Sequence, residues 1–518
     1  MQKNLILAVV LSSLVYIGWY SYMQKKLPPP QTAASSQTAA STPGTPAAAA
    51  SLPPASPAGT AQQEPGPLPA DWMQKAAVVT SGKAKYYFLP GPGSLAGAVY
   101  EGPVEPVELV PDPSRGFFYA TLPGSFALKS RTDDSVEFVS RQGQLLLTKK
   151  FVISKDDGLN SLEITAANVS SKPALLPAWE LRIGPGLNTV DSEMKDNAKL
   201  CKADYTFSEE GRKHPALKEL KSEPAEHDWV WTGLNNRYFL AALAGSDFGG
   251  ARPFRRDEKV GKDDKTPLVV VPLPAVELRP GETKTWTSRF YLGPKDYASL
   301  QKLGFGLDRS VDFGFFAPLA KLANTSLVFF YHLTGNYGAA ILVLSVLIQL
   351  ILSPLSFKSY KAMAVMKKIQ PEMKSIQERY KKDPQRMNSE IMALYRRHGT
   401  NPLGGCLPML LQIPVFFALF TALRNSWDLH GAHFIFWIKD LSAKDPYYVL
   451  PLIMGGVMFL QQSLNPQTSD PAQAAMMKWM PVIFTFMFLH FPSGLVLYWL
   501  VNSTWGFAQS MYLKKTMG

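Results

Sequence analysis

The sequence predicts a polytopic α-helical membrane protein with a large all-β domain on one side of the membrane and a basic helical hairpin on the other. Three observations predict it. Uncharged apolar runs of about 20 residues, the length a helix needs to cross a bilayer, recur after residue 335. Short apolar/polar alternations broken by Gly, Pro and Asp turns fill residues 71–308, the mark of half-buried strands. The formal net charge is +12 over 518 residues, and much of it sits in residues 358–398, between two apolar runs. That placement marks a cytoplasmic loop and argues against a DNA partner. Cys201 and Cys406 lie in unlike regions and make neither a disulfide framework nor a zinc site.

Residues 1–27 read as an N-terminal transmembrane anchor. The apolar stretch from Asn4 to Gln24 is flanked by Lys3 and Lys25-Lys26, is longer than a signal-peptide core, and ends in an interfacial cluster around Trp19-Tyr20. Residues 28–70, rich in Pro, Ala and Ser, cannot bury a core and read as a tether. Within 71–308, alternating runs at Ser135–Ser140, Gln144–Ile153, Ser161–Asn168, Ala178–Ile183, Leu268–Pro272 and Thr283–Leu292 suggest a β-sandwich. His214 and His227 stand there without a metal or acid–base spacing. Residues 309–334 read as an interfacial amphipathic helix with an apolar stripe at Phe315, Leu319, Leu322, Leu327 and Phe330. Lys321 and Asn324 lie off that stripe.

The remainder, 335–518, reads as five crossings at about 338–357, 403–423, 447–464, 479–490 and 495–513. With the anchor the total is six. Residues 465–478 read as a polar loop, and Phe491-Pro492-Ser493-Gly494 as the turn of a helical hairpin. Ser345 and Gln349 are four apart and share one helix face. Gln412 puts an amide in the third crossing, and a polar side chain at that depth faces protein or a wet cavity. Such groups converge on a hydrophilic groove, or they make ordinary helix–helix hydrogen bonds.

Residues 358–399 read as a cytoplasmic helical hairpin. Met366, Ile369, Met373, Ile376 and Tyr380 form one apolar seam, Asp383-Pro384 starts the second helix, and Met387, Ile391 and Leu394 continue the seam. Its basic surface, Lys367, Lys368, Arg379, Lys381, Lys382, Arg386, Arg396 and Arg397, serves the positive-inside rule. The same surface suits ribosomal RNA or anionic lipid. Both termini then fall in the cytoplasm and the β domain in a periplasm.

Four stretches resemble the signatures of the YidC family of membrane protein insertases. They are Asn401-Pro402-Leu403-Gly404-Gly405-Cys406-Leu407-Pro408, Asp445-Pro446-Tyr447-Tyr448-Val449-Leu450-Pro451, Met480-Pro481-Val482-Ile483-Phe484-Thr485, and Phe491-Pro492-Ser493-Gly494-Leu495-Val496-Leu497-Tyr498. The resemblance implies a periplasmic β-supersandwich and five helices around a hydrophilic groove closed toward the periplasm. It implies a groove lined by Ser345, Gln349, Gln412, Tyr498, Trp499 and Asn502. It further implies an insertase and chaperone of the inner membrane that catalyses no chemical reaction and needs no cofactor or metal. The implied partners are nascent inner-membrane proteins, the bilayer, the Sec translocon, the signal recognition pathway and the ribosome. The sequence departs from the family at Gln349, five residues before Pro354, where the family usually has Arg or Lys. Its tail, Lys514 to Gly518, is short beside the basic tails of some relatives. A transporter or channel is the alternative, but His490, near a turn, is the one ionisable residue expected within the crossings after residue 335. A periplasmic glycan enzyme leaves the five-helix core unexplained.

Overall fold

The computed structural model describes residues 68, 71–155, 158–211, 214–245, 248, 250–260, 263–399, 407–464 and 471–517. The expected anchor, nearly all of the tether, and residues 401–406 of the first signature lie outside the described residues.

Four of the alternating runs, Ser135–Ser140, Gln144–Ile153, Ser161–Asn168 and Thr283–Leu292, fall in an antiparallel sheet that has nine strands among the described residues, and the other two fall in a smaller sheet. In spatial order the nine are Ala216–Glu219, Lys202–Phe207, Trp229–Asn235, Phe239–Ala244, Thr283–Pro294, Asn160–Asn168, Leu145–Val152, Ser135–Gln142 and Ala127–Arg131. One smaller sheet pairs Ala77–Ser81, Ala84–Leu89, Ser94–Glu101 and Pro106–Glu108. Another pairs Phe254–Val260, Asp263–Leu273, Trp179–Ile183 and Tyr119–Ala120. Phe138, Leu147, Phe151 and Phe290 of the large sheet share one apolar core with Phe88, Leu95, Leu181 and Val269 of the small ones. Short helices, such as Met194–Leu200, interrupt the strands.

The strand Phe239–Ala244 is buried at every residue, so its sequence, Phe-Leu-Ala-Ala-Leu-Ala, does not alternate. Phe239, Ala241 and Leu243 point into the sandwich core. Leu240, Ala242 and Ala244 point the other way, into a cluster with Trp231, Leu307, Phe313, Ala320, Ala418 and Ala422. The last three belong to the helices Ala317–Thr334 and Leu407–Asn425, so the sheet is packed directly on them.

Among the described residues seven α-helices follow: α1 (Ala317–Thr334), α2 (Tyr337–Arg379), α3 (Pro384–Arg397), α4 (Leu407–Asn425), α5 (Val449–Leu464), α6 (Pro471–Phe488) and α7 (Ser493–Met517). The segment Tyr337–Ser359 of α2 is, among the described residues, the one stretch long and apolar enough to cross a membrane. Leu411–Asn425, Val449–Leu464 and Lys478–Phe488 are apolar but shorter.

Three expectations are corrected. The crossing and the first hairpin arm are not separate elements at 357/358: α2 runs unbroken for 43 residues through Pro354 and Pro371. The composition changes at Lys358, but Lys, Met, Gln and Glu are good helix formers, so the helix continues. Residues 471–478 are the first turns of α6 and not loop. Pro471 suits a first helical position, and the Ala and Met that follow favour helix. In α1 the buried stripe is Ala320, Asn324 and Leu327, whereas Leu319, Leu322 and Phe329 are exposed. Small residues let membrane helices approach closely, and large apolar ones can face lipid. Of the expected stripe, Leu327 is buried while Leu319 and Leu322 point outward, and Asn324, expected to lie off it, is buried.

Candidate functional site

Polar residues recur along the facing sides of α2 and α7. Ser345, Gln349 and Ser353 sit on one face of α2 at intervals of four, and all three are buried. Tyr498, Asn502 and Gln509 sit on the facing side of α7 at intervals of four and seven. The Gln349 side-chain amide donates to the Asn502 Oδ1. Gln509 Nε2 donates to Ser353 Oγ at 2.8 Å, and Trp505 Nε1 donates to the same oxygen at 3.2 Å. Gln412 of α4 donates its amide to the Tyr498 hydroxyl. Ser345 Oγ donates to the Ile341 carbonyl at 2.6 Å, within its own helix. The result is a polar seam inside three apolar helices, in which Gln349 pairs with Asn502, Gln412 with Tyr498, and Gln509 and Trp505 with Ser353. Leu350 and Ile351 of α2 and Phe417 of α4 stay exposed, as lipid-facing residues do.

Ser345, Gln349, Gln412, Tyr498 and Asn502 are thus brought together. Trp499 is not: it stands about 100° around α7 from Tyr498 and packs among Phe416, Phe484 and Phe488, with ring centroids 5.0, 5.9 and 5.3 Å away. Sequence reasoning left out Ser353, Trp505 and Gln509. The signal was present, because Ser353 is four residues beyond Gln349 and Gln509 seven beyond Asn502.

At the end of the seam beside residues 437–447, hydrogen bonds account for two of the signatures. Buried Asp445 accepts from the Tyr447 N–H at 3.0 Å, the Leu450 N–H at 2.7 Å and the Trp437 indole at 3.0 Å, which fixes the start of α5. The Ser493 N–H donates to the Ala443 carbonyl at 2.7 Å and the Gly494 N–H to that of Leu441 at 2.9 Å, so the α6–α7 turn is tied to the same loop.

At the other end, α3 folds back on α2. Ile369 and Leu394 are buried between them, the Tyr395 hydroxyl meets Met373 Sδ at 3.3 Å, and Asp383 caps α3 by accepting the Arg386 N–H at 3.1 Å. Lys368, Arg379, Lys381, Lys382, Arg386, Arg396 and Arg397 are exposed on this hairpin. The side chain of Lys367 lies outside the described residues.

A β-sheet domain packed on apolar helices that enclose a polar seam defines a membrane protein with a large extramembranous domain. Residues 329–518 match the family described as 60Kd inner membrane protein, and residues 107–323 match the YidC periplasmic domain. The membrane protein insertase YidC of Endomicrobium trichonymphae is 42% identical over 82% of this chain and 82% of its own length. That of Geobacter metallireducens is 34% identical over 100% of this chain and 99% of its own. A solved structure described as an active YidC insertase with its first transmembrane domain resolved is 20% identical, covers 85% of this chain and 92% of that one, and has a TM-score of 0.40. The chain belongs to the YidC family of membrane protein insertases, inner-membrane proteins with a periplasmic domain.

Proposed function

We propose that the protein inserts nascent inner-membrane proteins into the bilayer, and helps them fold, by receiving their polar segments in the seam between α2, α4 and α7. The observation that carries this reading is the pairing of Gln349 with Asn502 and of Gln412 with Tyr498 inside apolar helices. An incoming hydrophilic segment trades its water for these groups, bond for bond, where plain hydrocarbon would strip its polar groups at several kcal/mol each. The apolar helix of the substrate then moves into lipid, and its burial supplies the driving force. No bond is made or broken, so the activity is not enzymatic. The basic hairpin faces the ribosome and the signal recognition pathway, the Sec translocon is a further partner, and DNA is not. The β domain is a supersandwich on the periplasmic side. Six crossings, one of them the anchor, leave both termini in the cytoplasm.

Purified protein in liposomes should insert a short hydrophobic substrate without helper proteins. If it moves solutes and inserts nothing, the reading fails in favour of a transporter. Topology is tested separately. Gln385→Cys should react with an impermeant thiol reagent only from the cytoplasmic side, and Glu277→Cys only from the periplasmic side. Reversed labelling would overturn the orientation.

Gln349 tests the seam itself. Gln349→Leu removes the partner of Asn502, an interaction of about 1 kcal/mol or less in a membrane protein, and dries the seam. Insertion should slow severalfold, most for substrates with a charged translocated tail. Gln349→Arg should be tolerated, because its guanidinium also donates to the Asn502 oxygen. Gln349→Glu should be worse than Gln349→Arg for acidic tails through like-charge repulsion. Insertion rates of the three variants with neutral and acidic tails check this. Equal rates for parent and leucine variant would make Gln349 a packing residue.

A further inference from the structure

Between α4 and α5 the chain turns back on itself in a tight tip. The Phe434 N–H donates to the Ile438 carbonyl at 3.0 Å and the Ile438 N–H to the Ile435 carbonyl at 3.1 Å, leaving Phe436 and Trp437 at the apex. Phe436 has φ 51°, a left-handed conformation that a bulky residue rarely adopts. Its side chain is 78% exposed and that of Ile435 is 46% exposed. Strain of this kind persists only where the surroundings fix it, and here they do. Trp437, on which the Phe436 ring stacks at 6.0 Å and 21°, donates its indole N–H to buried Asp445. Asn336 donates its amide to the carbonyls of His433 and Phe434, both at 3.1 Å.

Those contacts also set the depth of the tip. Asn336 caps α2 by accepting the Ala339 N–H at 3.0 Å, and the apolar segment of α2 begins at Tyr337. The Phe434 ring lies so close to Gly338 that a Cβ there would meet it at 2.0 Å. The tip is therefore fastened at the level where the apolar helix starts. Exposed Lys439 follows it two residues on, exposed Lys444 and Tyr447 flank Asp445, which holds Trp437, and Lys444 Nζ lies 3.3 Å from the Tyr448 hydroxyl. Aromatic rings beside lysines are the composition of a membrane–water interface.

We propose that residues 435–437 are an anchor in the outer leaflet of the bilayer, with Ile435 and Phe436 at the headgroup–acyl boundary and Lys439 and Lys444 among the lipid phosphates. The assignment rests on the reading that α2 spans the membrane. Because the same loop holds the α6–α7 turn through Ala443 and Leu441, the anchor sets how deep this end of the seam lies.

The test uses the full chain with Cys406→Ser, reconstituted in vesicles of phosphatidylethanolamine and phosphatidylglycerol. A fluorophore on Ile435→Cys should be quenched more by nitroxides placed shallow in the acyl chains than by deep ones. Its quenching by aqueous iodide should be at least about twofold below that of Glu277→Cys on the β domain, as an interfacial position demands. Adding Phe436→Ser should reverse both trends. A second label on Ile351→Cys, a residue exposed on α2, should respond to the deep nitroxide. If Ile351 responds while Ile435 is quenched by iodide alone, the anchor is wrong and the span stands. If iodide and nitroxides both fail at Ile435, protein covers the tip, a second copy or a partner, and the anchor is again wrong. If Ile351 ignores the deep nitroxide, the span reading falls first.

Discussion

Trp427→Ala is expected to loosen the β domain from the helices by about 3–5 kcal/mol, the usual cost of truncating a buried Trp. Trp427 follows α4, yet its ring belongs to the core of the β domain. It meets Phe239 at 5.0 Å, Tyr100 at 5.9 Å and Tyr238 at 5.7 Å between centroids, and His430 stacks on it at 5.2 Å. Burial holds the His430 imidazole below its usual pKa, so the ring is neutral there at neutral pH. Beside it, Arg237 donates to the Arg424 carbonyl at 2.9 and 2.6 Å and pairs with Glu193. Hydrogen exchange reads the loosening directly. The His430 and Leu441 amides, bonded to Trp427 and Ala432 carbonyls, should exchange faster by about two to three and a half decades, at 1.4 kcal/mol per decade. Trp427→Phe should fall between. The sequence suggests that deleting much of 71–302 spares insertion as long as the helix from Phe315 remains. That deletion also removes the Trp427 pocket, so its 424–446 loop should exchange as fast as in Trp427→Ala. Unchanged exchange in Trp427→Ala would mean that the contacts of Ala320, Ala418 and Ala422 hold the domain alone.

What the sequence disclosed follows from what each residue had to satisfy. Strands such as Ser135–Gln142, with one face in the core, alternate and are legible. Phe239–Ala244 was hidden because both of its faces are buried. The convergence of Ser345, Gln349, Gln412 and Tyr498 could be read from helical spacing and the family resemblance. That Gln349 is bonded to Asn502 and Gln412 to Tyr498 could not, because spacing fixes a face and not a rotamer. The α1 stripe was legible only in part: Leu319 and Leu322 are exposed, as large apolar residues of a helix at a membrane can be, but Leu327 and the off-stripe Asn324 are buried against protein. Lys149 shows the converse. It stands at an inward position of Leu145–Val152, where alternation calls for an apolar residue, and it is wholly buried.

Lys149 should make the β domain more stable as pH rises. Its ammonium has a hydrogen bond to the Phe118 carbonyl at 3.0 Å and lies over the Phe126 and Phe151 rings at 5.7 and 5.5 Å. Desolvation pushes its pKa from the ordinary 10.5 down to about 7. The folded state then releases a proton that the unfolded state keeps between pH 7 and 10.5. The unfolded chain binds more protons in that window, so stability increases with pH, by about 1.4 kcal/mol per unit. Below pH 7 both states carry the charge and the full penalty applies, about 5 kcal/mol for a shift of this size. Lys149→Met removes that penalty but leaves the Phe118 carbonyl without this donor, at about 1–3 kcal/mol. Near pH 7 the variant should therefore be the more stable protein by about 2–4 kcal/mol, the difference of those two effects. By pH 10 its advantage should have shrunk by about 4 kcal/mol. Urea unfolding of the full-length protein, followed by tryptophan fluorescence at pH 7, 8.5 and 10, measures the difference. Titrating groups common to both proteins, among them Asp204 and Lys295, cancel in it. A difference independent of pH would mean that water reaches the Lys149 ammonium inside the sandwich and that its charge is not buried at all.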